Sequence, residues 1–197
     1  MGHREDLLEG AKRCLLDKGF ARTTARDIVR ESGTNLASIG YHYGSKDALL
    51  AKACISLVEE IGASFAPGET VTSEHAPGSA ERFQEMWDRV LHSFTDERMR
   101  AIWMLSLAVT TEIDRMPEVR RLLGEAQRDA RSGLVPMFSG VAEGDLDEET
   151  VETEGRLYIT LLNGLMVQWL FDENSATTAE QLTAGMRRIA GAMTGQT

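Results

Sequence analysis

The chain is poor in residues that cross-link or interrupt a fold. It has two cysteines and four prolines in 197 residues. Cys14 and Cys54 fall on different predicted helices, and two thiols make no disulfide scaffold. Both are expected to be small buried apolar side chains. Long apolar runs are missing too. The longest, Leu157 to Phe171, is broken by Thr160, Asn163 and Gln168. It falls short of the roughly 20 apolar residues a membrane-spanning helix needs, so a buried core helix is expected. Charges run through the first ten residues, leaving no apolar stretch of the kind a secretory leader carries. A cytoplasmic location and no membrane partner are therefore expected. No period-2 run of β-branched residues and no fixed-length repeat occurs, which excludes a sheet protein or a solenoid. No Ser/His/Asp or Cys/His order for nucleophilic catalysis is visible. His3, His42, His75 and His92 lack the i+3 or i+4 partner and second cluster of a metal site. Neither catalysis, nor a metal, nor a cofactor is expected.

What the chain does have is helical periodicity and an uneven charge. The net charge is −10, yet residues 1–52 carry nine Lys/Arg against seven Asp/Glu, while residues 53–197 carry 12 against 24. A polyanion is tolerated by the first segment and repelled by the second. A first helix is predicted from about Arg4 to Lys18, with Leu7, Ala11, Cys14 and Leu15 on one face. Gly19 is its stop signal, and Phe20 packs back on the core. A second starts after Thr24, where "TARD" forms a capping box between Thr24 and Asp27, and ends at Gly33. A third, capped by Asn35, covers Leu36 to Tyr41 or His42. Ser45 caps a fourth whose apolar face is Leu50, Cys54, Leu57 and Ile61. "FAPGETVTSEHAPGSA" holds two Pro-Gly pairs and is read as a loop. Five further helices are expected over 80–95, 97–114, 117–139, 147–172 and 178–193. The chain is thus all-α, with about nine helices.

The segment "IGYHYGSKDALL" raises the question of a phosphate cradle. A nucleotide loop needs four residues between its glycines, then Gly-Lys-Ser/Thr, after a strand. Here three residues separate Gly40 from Gly44, the order is Gly-Ser-Lys-Asp, and no strand precedes it. Two short helices around a Gly turn instead form a helix-turn-helix, whose second helix lies in the major groove. Tyr41 and His42 can donate to phosphate oxygens, and Lys46 adds charge at the start of helix four. Tyr43 is expected beneath helix one rather than on DNA.

On residues 19–50, "GFARTTARDIVRESGTNLASIGYHYGSKDALL", the sequence resembles the tetracycline-repressor (TetR) family of bacterial regulators. The shared features are Gly-Phe, Thr-Thr, an Ile inside helix two, the Gly turn, an aromatic-His-aromatic segment, Ser-Lys and Leu-Leu. The resemblance implies an N-terminal three-helix helix-turn-helix domain, residues 1–47. It also implies a C-terminal helical bundle for ligand binding and dimerisation, residues 48–197, with helix 46–64 bridging the two. It implies DNA contacts by Thr24, Arg26, Asn35, Leu36, Ala37, Ser38, Tyr41, His42 and Lys46. Gly40 stands where the family usually has an aromatic, and Thr34 where it usually has Val. Leu36, Ala37 and Ser38 offer few bidentate hydrogen bonds, so thymine-methyl contacts and indirect readout are expected to carry more of the specificity.

"RAIWMLSLAVTTEI" and "RLYITLLNGLMVQWLF" are apolar almost all round and must be covered on every side, which a second subunit can do. The family's last two helices form such an interface. Leu161, Leu165, Leu170, Met186, Ile189 and Met193 are expected there. Two reading heads on a two-fold axis match a palindromic double-stranded DNA operator with half-sites about 34–36 Å apart or multiples of that. A small-molecule pocket is expected between helices five to eight. Its candidate lining is Trp87, Phe94, Trp103, Met104, Leu107, Tyr158, Leu162, Met166 and Trp169, with Asn163 or Thr110 as polar anchor. The implied mechanism is a population shift in which an apolar or amphipathic effector releases the operator, helix four acting as lever. The rival reading is a helical small-molecule or partner-binding module that has lost sequence-specific DNA binding.

Overall fold

The computed structural model describes residues 2–65, 73–110, 113–115 and 117–195, without the side chains of residues 62–65, 115, 118 and 143. Residues 66–72 of the Pro-Gly-rich stretch lie outside the described residues. So do residues 111–112, near the expected end of the sixth helix. Among the described residues there is no strand, and nine α-helices of eight residues or more follow one another. They are α1 (His3–Lys18), α2 (Ala25–Ser32), α3 (Leu36–Tyr43), α4 (Lys46–Phe65), α5 (Ala80–Ser93), α6 (Glu97–Thr110), α7 (Pro117–Ser139), α8 (Arg156–Phe171) and α9 (Ala179–Thr194). None of the helices is long and apolar enough to cross a membrane, among the described residues.

The chain groups into two compact units, Met1–Ile61 with Ala101–Ala126 and Gly62–Arg100 with Gln127–Thr197. In the first, α1 packs on α2 and α3. Its inward face is Leu7, Ala11, Cys14 and Leu15, with Phe20 and Ile28 closing over it. Gly10 is part of that contact, because a Cβ there would come within 2.8 Å of the Ser32 Cβ. α2 ends on Gly33 in the left-handed region, φ 67°, a conformation that suits glycine. The Thr23 hydroxyl is buried and donates to the carbonyls of Gly19 (2.7 Å) and Cys14 (3.2 Å), which fixes the link from α1 to α2. α4 is covered more widely than its expected single stripe: Leu49, Ala51, Ala53 and Ile55 are buried together with Leu50, Cys54, Leu57 and Ile61. Lys12 is buried on α1 and pairs with Glu9 at 3.0 Å and with Glu60 of α4 at 3.1 Å. Burial alone would lower its pKa, but the hydrogen bonds to the two carboxylates outweigh that and raise it.

In the second unit α9 packs against α5, tied at the surface by Arg187 and Glu81 at 2.7 Å. Buried Arg82 donates from Nε and Nη2 to the Met137 carbonyl, at 3.2 and 3.1 Å, and so satisfies a carbonyl at the end of α7. The single helix expected over 147–172 is divided. A turn at Glu148–Thr150 runs into a π-helical stretch, Val151–Gly155, before α8 begins. The widened turn ends on Gly155, which lies so close to Arg131 that a Cβ would sit 2.9 Å from its carbonyl oxygen. Apolar periodicity carries no trace of that contact, because the residue that makes it has no side chain.

Candidate nucleic-acid interface and effector site

Two eight-residue helices are too short to be stable alone, so α2 and α3 depend on their caps and on packing. Thr24 Oγ1 accepts from the Asp27 N–H at 3.2 Å, and Asp27 Oδ2 accepts from the Thr24 N–H at 3.0 Å. Asp27 also receives Lys18 at 2.7 Å and Arg30 at 3.0 Å. The bond from Lys18, then those from Thr24, hold its carboxyl well below the usual carboxylate range. Asn35 Oδ1 accepts from the Ser38 N–H at 3.1 Å and starts α3. The Tyr43 hydroxyl donates to the Arg4 carbonyl at 2.7 Å, with the ring half-buried, so the end of α3 is pinned to the start of α1.

This arrangement leaves one side of α3 open. Ile39 points inward, while Leu36, Ala37, Gly40 and Tyr41 share the outward face, Leu36 being 52% and Tyr41 86% exposed. The Tyr41 and His42 rings meet edge to face, with centroids 4.8 Å apart. Thr24 and Asn35 are exposed but already engaged as caps; Ser38 and His42 are half-buried. Lys46 is only partly available: its Nζ lies 3.3 Å from Asp47 and donates to the Thr23 carbonyl at 3.4 Å. Arg26 is exposed and makes no ion pair or hydrogen bond among the described residues.

The expected pocket lining divides between the units. Trp103, Met104, Leu107 and Thr110 fall in the first, and the rest in the second. On α6 the buried side is Ile102, Trp103, Leu105 and Val109. Met104 (53% exposed), Leu107 and Thr110 lie on the exposed side of α6 in the single chain. The i, i+3, i+7 stripe of Ile102, Leu105 and Val109 turns the other side of the helix outward. In the second unit Trp87, Phe94, Leu162 and Met166 are buried, while Tyr158, Asn163 and Trp169 are half-buried. Trp169 lies between Phe94, at 5.7 Å, and the Arg100 guanidinium, at 5.2 Å from its ring centroid. Two residues absent from the sequence reading complete an aromatic cluster. Phe138 stacks on Tyr158 at 4.3 Å and meets Trp87 at 5.0 Å, and Phe83 contacts Trp87, Phe138 and Tyr158. Phe83 lies four residues before Trp87, a spacing that was legible; Phe138 follows Pro136 at the end of α7 and needed the tertiary fold. Burial pushes the Tyr158 hydroxyl up to about 12. The Trp87 Nε1–H is buried with no acceptor. A separate open hollow of about 760 Å³, lined by His75, Glu81, Glu85, Asp88, Arg89 and His92 among others, is charged and is not the apolar pocket expected.

Leu165, expected at a subunit contact, is buried within its own chain. The exposed stripe of α8 is Leu157, Thr160, Gly164, Gln168 and Phe171, one residue and therefore about 100° of helix away. Leu161, Leu170 and Met186 are half-buried; Ile189 (58% exposed) and Met193 (83%) are open.

A three-helix head whose third helix leaves one face open, in a chain that is all-α among the described residues, defines the class of helix-turn-helix transcription regulators. Residues 7–53 match the model of the bacterial regulatory proteins of the tetR family, and residues 73–194 match that of the BetI-type transcriptional repressor C-terminal domain. The chain belongs to the tetR family and is a transcriptional regulator. The HTH-type transcriptional regulator BetI of Agrobacterium fabrum is 29% identical over 144 residues, 72% of this chain and 66% of that protein. The chain thus spans slightly under two thirds of that relative. The HTH-type transcriptional regulator TtgR of Pseudomonas putida is 27% identical over 175 residues, 85% of this chain and 80% of the relative. A transcriptional regulator of Streptomyces coelicolor A3(2) shares the fold with a TM-score of 0.70 at 21% identity, over 95% of this chain and 97% of that one. The multidrug binding protein EbrR, solved with proflavin, does so with 0.68 at 19%, over 95% and 99%.

Proposed function

We propose that the chain is a ligand-released repressor that binds a palindromic operator as a homodimer. The observation that carries this is the outward face of α3, left open while the starts of α2 and α3 are capped and the exposed Arg26 side chain on α2 has no partner among the described residues. Thr24, Arg26, Tyr41, His42 and Lys46 meet phosphates, and α3 enters the major groove. Residues 1–47 serve as the DNA-binding domain and residues 48–197 as the effector and dimerisation domain, with α4 as the shared lever. Phe171, Ile189 and Met193 give the second copy an apolar surface to cover, with Leu161, Leu170 and Met186 at its edge. The effector is an apolar or amphipathic molecule that opens the Phe83–Trp87–Phe138–Tyr158 cluster. An acceptor on it would satisfy the Trp87 Nε1–H, since a buried donor without a partner calls for one. Release requires that the effector bind the DNA-incompetent state more tightly, with a coupling of about 1–3 kcal/mol. This work takes place in the cytoplasm, and no catalytic step is involved.

The test is a gel shift with the full-length protein on DNA upstream of its own gene, at two salt concentrations, followed by titration of aromatic amphipaths. A dimer-sized shift that weakens with salt and is reversed by one of them supports the reading. A protein that binds such compounds but shifts no duplex at low salt is the binding module without DNA recognition.

A further inference from the structure

Resting on the reading of the head as a duplex binder, we infer that α3 reads its operator through the C5-methyl groups of thymine. Leu36 and Ala37 are the reading side chains, and Gly40 is the gap that lets the groove come close. The outward face of α3 consists of Leu36, Ala37, Gly40 and Tyr41. In the major groove guanine is matched by Arg or Lys, adenine by Asn or Gln, and cytosine by Asp or Glu; none of these stands on that face. The one amide nearby, Asn35, is the N-cap of α3, its carbonyl oxygen accepting from the Ser38 N–H, so turning its amide to adenine would cost that cap. What Leu36 and Ala37 can match is the one apolar group on a major-groove edge, the thymine methyl.

Gly40 supplies the independent observation. It lies in the middle of an eight-residue helix, where glycine is the poorest choice short of proline. Its φ is not positive, and an added Cβ would meet nothing within 4 Å. Nothing inside the chain therefore asks for glycine. Gly40 sits one turn after Leu36 and Ala37, on the same side, so a duplex resting on those two side chains meets Gly40 next. The missing side chain is clearance for the duplex.

The test uses the full-length protein. A duplex is selected from a random pool and resynthesised with deoxyuridine for thymine in its half-sites, which removes the methyl groups and keeps the pairing. Affinity is expected to fall about fourfold for each methyl withdrawn from apolar contact, about fifteenfold for one in each of two half-sites. Leu36→Ala is expected to narrow the thymine-over-uracil ratio. Gly40→Ala is expected to raise the thermal midpoint while weakening duplex binding about tenfold or more, a combination that a purely structural glycine does not give. Equal affinity for the thymine and uracil duplexes, or a Gly40→Ala protein that binds as tightly as its parent, overturns the inference and leaves the regulator reading standing. Selection of no duplex at all overturns both.

Discussion

The reading head and the second unit are stabilised by different means. In the head, helix starts are fixed by side chains three residues from their partners: Thr24 with Asp27, Asn35 with Ser38, and Ser45 with Ala48. Ion pairs such as Lys18–Asp27 and Lys12–Glu60 join the helices. The second unit also caps α5 and α9, through Ser79 and Thr178. Its interior, however, is an aromatic cluster around Trp87 and Phe138. Short helices are marginal by themselves and need satisfied ends as well as packing, whereas long helices can rely more on buried area. The contrast suits the two tasks. A head secured at its ends can leave one face of α3 bare for DNA. A bundle held by adaptable rings can rearrange around a guest.

The largest effect separating the two regimes is expected from Trp87→Ala, which removes a fully buried ring from the cluster. A loss of about 3–5 kcal/mol in urea unfolding is expected. A loss under about 1 kcal/mol would mean the rings already enclose a cavity, and the contrast would fail. Next comes Lys12→Met, which removes the ion pair with Glu60 from the α1–α4 contact. About 1–3 kcal/mol is expected, and much less once Glu60→Gln is added, because the two changes share one interaction. Additive losses would show that the pair does not join α1 to α4. Thr24→Ala should cost about 1 kcal/mol by removing a cap. The same loss from Ser79→Ala would show that capping matters equally in both regions.

The subtlest effect concerns pH. Asp27 is held below its ordinary value by Lys18 and Thr24. Its stabilisation is therefore complete above the unfolded pKa of about 3.9 and fades as pH falls toward the lower folded value. Circular dichroism during acid titration is expected to show Asp27→Asn flattening this part of the profile. An unchanged profile would remove Asp27 from the account.

The head was legible in the sequence because its signals are local. The "TARD" box, the Asn35 cap and the Gly33 stop act within one turn, and each appears where its residue type implies. The bundle was legible as helices but not as a site. Periodicity marks which side of a helix is apolar, not which apolar side a partner covers. Leu165 and Gly164 are neighbours in sequence, yet one is buried and the other faces outward. Gly155 against Arg131 and Gly10 against Ser32 are contacts made by the absence of a side chain, and only coordinates reveal them. Phe138 escaped the sequence for another reason: its distance along the chain from Phe83 and Tyr158 hides its contact with the first ring and its stacking on the second.

The central claim is that the exposed side of α2 and α3 meets the charge of a duplex. It is tested most directly by the salt dependence of operator binding, read by fluorescence anisotropy for the parent protein and for Arg26→Ala. The parent is expected to lose about a hundredfold in affinity between 50 and 200 mM salt, as for some four phosphates neutralised. Arg26→Ala should fold with unchanged stability, bind more weakly, and lose about one unit of log–log slope per head. A flat salt response, or an Arg26→Ala protein with the parent's affinity and slope, would contradict the account.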